Sequence, residues 1–537
     1  MSLLHGIGAG LGGAGDSGGA LGSSSIYSHT INQSLRLNRA ESAHLYKTWG
    51  ADADSNKIFT FSIWFKRRGA GDGSNEEVLV NSKNTGSGTG QGYTLLGFYR
   101  DSELFYYTQN GGNNGTSKAL FRDPGAWMHL CWQYDTTQST ESNRIRFYIN
   151  GVQNATTTDN WTVGGSSLYP AEDSVMTSMN QNGQLNAIGA GINNSVNFGY
   201  FDGYIAEVIM LDGITTDCTA FGEFVDGVWI PKSYSGSFGT NGYHLDFADS
   251  SAIGNDVSGN NNDWTSSGLA AHDVVPDSPT NNFAAFNPLI IYYNPSYPAV
   301  FSEGNLKVYR ADNNWVTALS TLAVSSGKWY AEFVCTVGGN YIAMGILDIG
   351  AGNAVSSGFF IGEELNSVSY YGGNGYKYVS QGAGGSTTSY GSTFGIGDVI
   401  GVALDLDAGT VKFYKNNTVQ ASGTAAASSL SGTFAFGASV YGNNAIVANF
   451  GQDGSFANYL TGGNVGTQTD GNGIGAFKYA PPSDHLALCA SNLPAITIGP
   501  GQDEQADDYF NTVLYTGDGD NDVTATNTFA ADWVWLK

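Results

Sequence analysis

The sequence predicts an all-β protein. Two tandem antiparallel β-sandwich domains of the jelly-roll kind are expected, preceded by a Gly-rich N-terminal tail and followed by a small β-rich C-terminal segment. Three observations predict this. Apolar residues alternate with polar ones through many short stretches, the period of a strand with one buried face. Glycine accounts for 75 of 537 residues, about twice its usual share of roughly 7%, and it supplies the positive φ angles that tight turns need. Ser, Thr, Asn, Tyr and Phe are abundant beside it, so helix is expected to be scarce.

Residues 1–25 are Gly- and Ser-rich, with isolated Leu3, Leu4, Ile7, Leu11 and Leu21. Such a segment cannot build a core alone and reads as an N-terminal anchor that docks on something else. Its start, MSLLHGIGAGLGGAG, lacks a cationic region and breaks its apolar residues with glycine, so neither a signal peptide nor a membrane span is expected.

Residues 26–232 form the first sandwich. In FTFSIWFK, Phe59, Phe61, Ile63 and Phe65 share one face, while Thr60, Ser62, Trp64 and Lys66 take the other. AWMHLCWQYD places Met128, Leu130, Trp132 and Tyr134 in phase. RIRFYINGV returns with Ile145, Phe147 and Ile149 in phase, and an Asn150-Gly151 turn follows. FDGYIAEVIMLDG, residues 201–213, reads as another core strand.

Residues 233–300 read as a turn-rich connector. It holds one strand, over 243–247, and the prolines of DSPTNNFAAFNPLIIYYNPSYP mark extended chain. Residues 301–482 form the second sandwich, with strands in KWYAEFVCTV, YIAMGIL, VSYYG and AIVANFG. GDVIGVALDLDAGTVKFYKNN, residues 397–417, is its clearest hairpin. Ile400, Val402, Leu404 and Leu406 share a face, the chain turns at Asp407, Ala408 and Gly409, and Val411 and Phe413 resume the apolar face while Lys412 and Lys415 stay polar. Residues 483–537 form the C-terminal β segment. Its ending, with Trp533, Val534, Trp535 and Leu536, must pack on this chain, on a partner, or on residues beyond Lys537.

Formal net charge is −25 with only 22 Lys and Arg, so the summed field repels a phosphate backbone and nucleic acid is not an expected partner. Cys131, Cys218, Cys335 and Cys489 are scattered without a CxxC pair, which suits small buried apolar residues rather than a disulfide or metal framework.

SLRLNRAESAHLYKTW, FTFSIWFKR, AWMHLCWQYDTTQSTESNRIRFYINGVQ and FDGYIAEV, in that order, resemble the laminin-G-like branch of the concanavalin-A-like lectin/glucanase fold. SSGKWYAEF, MGILD, SYYGGNGYKY, FGIGDVIGVALDLDAGTVKFYKNN and ANFGQ resemble a SPRY domain. Joined through GVWIPKSYSGSFGTNGYHLDFADSSAIGNDVSGNNNDW and DSPTNNFAAFNPL, the pair resembles structural appendage proteins of tailed bacteriophages, of the tail-fibre or head-fibre type. That resemblance implies a virion location, reached without a leader because phage particles leave by lysis. It further implies other virion proteins as partners of the N-terminal tail, host-surface glycan or protein as the target, and a homo-oligomer, with a trimer favoured.

No catalytic, cofactor-binding or metal-binding residue is assigned, and no cofactor is expected. GDSGG at residues 15–19 copies the string around a protease serine, but only His5 precedes Ser17 and no triad can be assembled from order alone. Gly8, Gly10 and Gly13 match GxGxxG without the flanking strand and helix that give the motif meaning. Glu363 and Glu364, and likewise Asp503, Glu504, Asp507 and Asp508, read as solvated charge rather than the paired carboxyls of a glycanase. DVSGNNND at 256–263 and DGDND at 518–522 offer oxygen ligands for calcium, yet the same residue types make plain turns. His129 and His244 read as half-buried structural residues. Tyr370, Tyr371, Tyr376 and Tyr378 could stack on sugar, with core packing the favoured reading. The expected function is thus non-enzymatic: a phage fibre or appendage mediating host-surface attachment. A capsid decoration or purely structural fibre, and a glycan-degrading tailspike, remain open beside it.

Overall fold

The computed structural model describes residues 26–69, 76–83, 93–99, 102–108, 112–165, 167–192, 197–290, 299–350, 360–381 and 384–494. The fold is all-β, and among these residues the helices are short 3-10 turns. The expected anchor over residues 1–25 and the chain from 495 onward lie outside them.

The first sandwich pairs two antiparallel sheets. One runs Val152–Asn154, Ile145–Ile149, Met128–Asp135, Ile58–Arg67, Gly203–Asp212, Ser34–Leu37 and Val274–Val275, with Tyr243–Leu245 also on Gly203–Asp212. The other runs Trp161–Val163, Asn113–Leu120, Glu103–Thr108, Tyr93–Tyr99, Glu76–Lys83, Leu185–Ile188, His44–Thr48 and Thr265–Ser267. Phe59, Phe61, Ile63, Phe65, Leu130, Trp132 and Tyr134 meet in the core between them, with Phe61 opposite Trp132 and Ile63 opposite Leu130.

The outer face of the first sheet is covered too. Thr60, Ser62, Trp64 and Lys66, which alternation assigns to the polar side, are all buried. A hairpin of Gly222–Val225 and Val228–Pro231 lies over that face, and Trp229 and Phe221 cluster with Trp64, Cys131, Ile209 and Leu211. His129 is likewise fully rather than half buried. Its Nε2 meets Ser62 Oγ at 2.8 Å, and its Nδ1 accepts from Trp229 Nε1 at 3.2 Å. Burial pushes its pKa down to about 3, so the ring is neutral.

The second sandwich is built the same way. One sheet runs Val300–Ser302, Lys307–Arg310, Asn444–Asn449, Lys328–Val337, Val399–Asp405, Thr410–Lys415 and Thr418–Val419, and Leu486–Ala487 joins Lys328–Val337 in parallel. The other runs Trp315–Val324, Phe434–Tyr441, Ile342–Asp348, Ser367–Tyr371, Tyr376–Gln381 and Gly384–Ser389. The hairpin read over 397–417 forms in the expected register, Val402 opposite Phe413 and Leu404 opposite Val411, with all four side chains in the core.

Residues 233–300 are not a free connector. Tyr243–Leu245, Thr265–Ser267 and Val274–Val275 are strands of the first sandwich, and the segment that follows is sewn into both. Asp277 accepts from Lys66 Nζ and from Trp127 Nε1. Thr280 bonds both backbone groups of Ile31, at 3.1 and 2.7 Å. Asn282 reaches Lys66 and Gly125 O. A few residues on, Ala284 N donates to Leu488 O at 2.9 Å, and Phe286 enters the second core. Beside this strap, fully buried Arg36 of the first sandwich donates to Asp453 of the second at 2.7 Å and to Asp273 at 3.3 Å. Pro279 and Pro288 do lie in non-ladder chain, but the side chains around them find partners that only the folded sandwiches bring together.

Candidate binding surfaces

A polar cleft of about 410 Å³ opens on the first sandwich, beside the hairpin that covers its outer face. Strand pairing sets its floor: Gln133 lies opposite Arg146, and Tyr148 is the next outward residue of the same strand. Gln133 Nε2 donates to Thr216 O at 2.5 Å, Tyr148 OH donates to Gln133 Oε1 at 3.2 Å, and Arg146 Nη2 donates to Asn143 Oδ1 at 2.5 Å. Asp217 forms the third wall and caps a 3-10 turn through Thr219 N at 2.9 Å. Asp135 closes the rim, its oxygens taken by Thr137 and by Gln138 Nε2 at 2.7 Å. The loop between these strands is stapled by Arg144, which donates to the carbonyls of Gln138, Ser139 and Pro170 at 2.8–3.1 Å. Carboxamides, hydroxyls and one guanidinium are thus fixed before any ligand arrives, which lowers the entropy that binding must overcome.

An aromatic track lies on the outer face of the six-stranded sheet of the second sandwich. Centroids run Tyr341 to Tyr441 5.3 Å, Tyr441 to Trp315 5.4 Å, Trp315 to Tyr371 6.0 Å and Tyr371 to Tyr378 5.6 Å. Phe360 is wedged among them, 4.7 Å from Trp315 and 4.9 Å from Tyr378.

Residues 42–218 match the family model of the concanavalin A-like lectin/glucanases superfamily, and residues 329–453 match that of the SPRY domain. Each sandwich is thus similar to one of these two families. No curated protein matches it. Among solved structures, the SPRY domain of human HERC1 is 17% identical, over 30% of this chain and 96% of that one, with a TM-score of 0.25. The native heptameric SAP-like pentraxin from Limulus polyphemus is 12% identical, over 35% and 80% of the two chains, with a TM-score of 0.25.

Neither the lectin-like cleft nor the SPRY track was singled out from sequence as a whole. The signal for the cleft is the alternation that turns Gln133, Arg146 and Tyr148 outward. For the track it lies at strand ends, where Trp315, Tyr341 and Tyr441 sit. Of the four tyrosines read as core, Tyr370 alone is fully buried. Tyr371 and Tyr378 belong to the SPRY track, and Tyr376, on the same strand face as Tyr378, is 38% exposed.

The other candidates are placed as follows. Glu363 and Glu364 sit in a turn beside the track; Glu363 is exposed, but Glu364 is buried rather than solvated, because the turn folds it inward. Asp256 accepts from His244 N, Ser258 N, Ser258 Oγ and Asn262 N at 2.8–2.9 Å, so both of its oxygens serve the loop itself. Among the described residues no three His, Cys, Asp or Glu are gathered as a metal would need. His244 Nε2 pairs with Glu207 at 2.6 Å, and Glu207 occupies a β-bulge with φ 47°. All four cysteines are buried and unpaired with one another. Ser17, the glycines at 8, 10 and 13, the carboxylates at 503–508 and the loop at 518–522 lie outside the described residues.

Proposed function

We propose that the protein is a non-enzymatic structural protein of a bacteriophage particle, a fibre or appendage that attaches to glycan or protein on the host surface. Two modules of the binding kind in one chain support the coarse reading of binding or adhesion. The lectin-like cleft carries the finer one. Its pre-set carboxamides, the Tyr148 hydroxyl, the single guanidinium and the two carboxylates of Asp135 and Asp217 match the alternating donors and acceptors of a polyhydroxyl ligand, and its about 410 Å³ falls in the roughly 300–1,000 Å³ range of ligand sites.

The positions of the carboxyl groups support a non-catalytic role. A glycosidase needs one protonated and one ionised carboxyl on either side of the scissile bond. Among the described residues, Glu303 and Glu332 are the carboxyls that burial raises to about 7. Glu332 is in the interior, accepting from Lys478 N and Tyr479 N at 2.7 and 2.9 Å, and Glu303 accepts from Asn38 at the junction between the sandwiches. Neither lines the cleft, whose own carboxylates, Asp135 and Asp217, are taken up by Thr137, Gln138 and Thr219. The N-terminal tail docks on other virion proteins in this reading, the protein resides on the virion, and a homotrimer turns weak single contacts into firm attachment.

The test is binding of fluorescently labelled protein to host cells. Saturable binding that free surface polysaccharide competes away, without release of sugar fragments, is the expected result. Fragment release would make the protein a depolymerase. Absence of binding, with gold label on the capsid shell, would make it a decoration protein. Light scattering on the purified chain should give three times the 56.6 kDa of one chain; a monomer would remove the avidity argument.

A further inference from the structure

We propose that the aromatic track on the SPRY module is a second contact site, which takes an extended, uncharged saccharide chain. The track is a row of rings rather than a pocket, so it fits a ligand that repeats along its length. Tyr341 is 52% exposed, while Trp315, Tyr371, Tyr378 and Tyr441 each show part of their rings. Phe360, 5% exposed, holds them from below. Rings present flat apolar faces and, in tyrosine, a polar edge, which suits the apolar faces and hydroxyl edges of pyranose units. An amide stands at the Tyr378 end, where Asn374 Nδ2 donates to Tyr378 OH at 3.3 Å.

Charge decides between ligands that stack. Single-stranded nucleic acid also lies along aromatic rows, but it needs cations tracking its phosphates. Across the six strands of this sheet the single cation is Lys377. It sits on the core-facing side, donating to Ala426 O at 2.7 Å and lying over the Tyr390 ring. The charged group acting on the rings is the carboxylate of Glu363, which bears on Tyr371. An anionic polymer is therefore repelled, and a neutral sugar chain is not.

The proposal rests on the attachment reading only for where such a ligand would be met, and its test needs no host cell. The full chain is run in native gels cast with dextran, a β-1,3-glucan or a galactomannan, and in parallel with dextran sulfate or oligo-dT. At least one neutral polymer should retard the wild type. Tyr341→Ala with Tyr441→Ala should weaken that retardation about tenfold, while Tyr341→Phe with Tyr441→Phe, which keeps both rings, should leave it unchanged. No retardation by any neutral polymer overturns the proposal. So does retardation that survives the double variant, or that dextran sulfate or oligo-dT produces more strongly. A protein-docking face would give the first of these. Gel retardation without cell attachment would sink the attachment reading and leave this one standing.

Discussion

Glu303 begins a run of three left-handed residues, with φ of 57° at Glu303, 61° at Gly304 and 67° at Asn305. Gly304 is required twice over. Its φ is one that side chains resist, and a Cβ there would overlap the Tyr204 ring, whose hydroxyl donates to Gly304 O at 2.9 Å. The turn thereby presses the Glu303 carboxyl against Asn38 Nδ2, 2.8 Å away. Burial raises its pKa from 4.5 to about 7, with Arg36 opposing. The unfolded chain releases this proton near 4.5 and the folded protein near 7, so between those values the folded state holds the extra proton. Stability from this group therefore falls as pH rises through that window. Glu303→Gln keeps the acceptor and removes the charge. Calorimetry should show little difference from wild type at pH 4.5, and a variant more stable by up to about 3 kcal/mol at pH 8. A gap that shrinks with rising pH would contradict this assignment. Glu207 works in the opposite sense: burial opposes its charge, but His244 and His29 hold it down to about 2. Its contribution is complete above pH 4.5 and is lost as the pH falls toward 2.

At the scale of elements, the cover hairpin of Gly222–Val225 and Val228–Pro231 explains why the sheet beneath it is buried on both faces. Trp229, 4% exposed, stacks on His129 at 5.8 Å and closes the layer over Cys131. Trp229→Ala removes a large ring from a packed site, at a cost of about 3–5 kcal/mol, and opens a path to thiols that burial otherwise protects. The native protein should resist a thiol reagent such as DTNB, whereas the variant should react at Cys131 or Cys218 while still folded by circular dichroism. A variant as inert as the wild type would mean that the hairpin does not seal this face.

The same element shows where sequence reading stops. Alternation in FTFSIWFK located the inner face correctly, because one side of any sandwich strand must face its partner sheet. It assigned Trp64 to the polar side, since the hairpin that buries it comes from far along the chain and leaves no local trace. The hairpin over 397–417 was legible in full because its partners are neighbours in sequence. The SPRY track was half legible. Tyr371 and Tyr378 are named from sequence as able to stack on sugar, but core packing is the favoured reading there, because residue type alone does not tell the inner face of a strand from the outer.

For the whole molecule, the strap through DSPTNNFAAFNPL decides the architecture. Its prolines suggested a linker. Instead, Asp277, Thr280 and Asn282 lock onto Lys66, Ile31 and Gly125, and Phe286 fills the neighbouring core. Arg36 completes the junction, holding the Asp453 carboxyl below its ordinary pKa against the burial that would raise it. Arg36→Ala leaves two buried carboxylates unpaired, which should cost about 3–5 kcal/mol. Differential scanning calorimetry of the wild type should show one cooperative transition, and the variant should separate into two. Two transitions in the wild type would mean that the sandwiches melt independently despite the strap.

A stitched seam of this kind turns the molecule into a calliper. Tethered domains search a volume for one another's ligand, and each added residue of tether dilutes the search. Here the gap between cleft and ring row is set by folding alone, so if both proposed contacts are made, a polymer long enough to touch both would meet one fixed span, and chains of the wrong pitch would be rejected even where each half-contact is good.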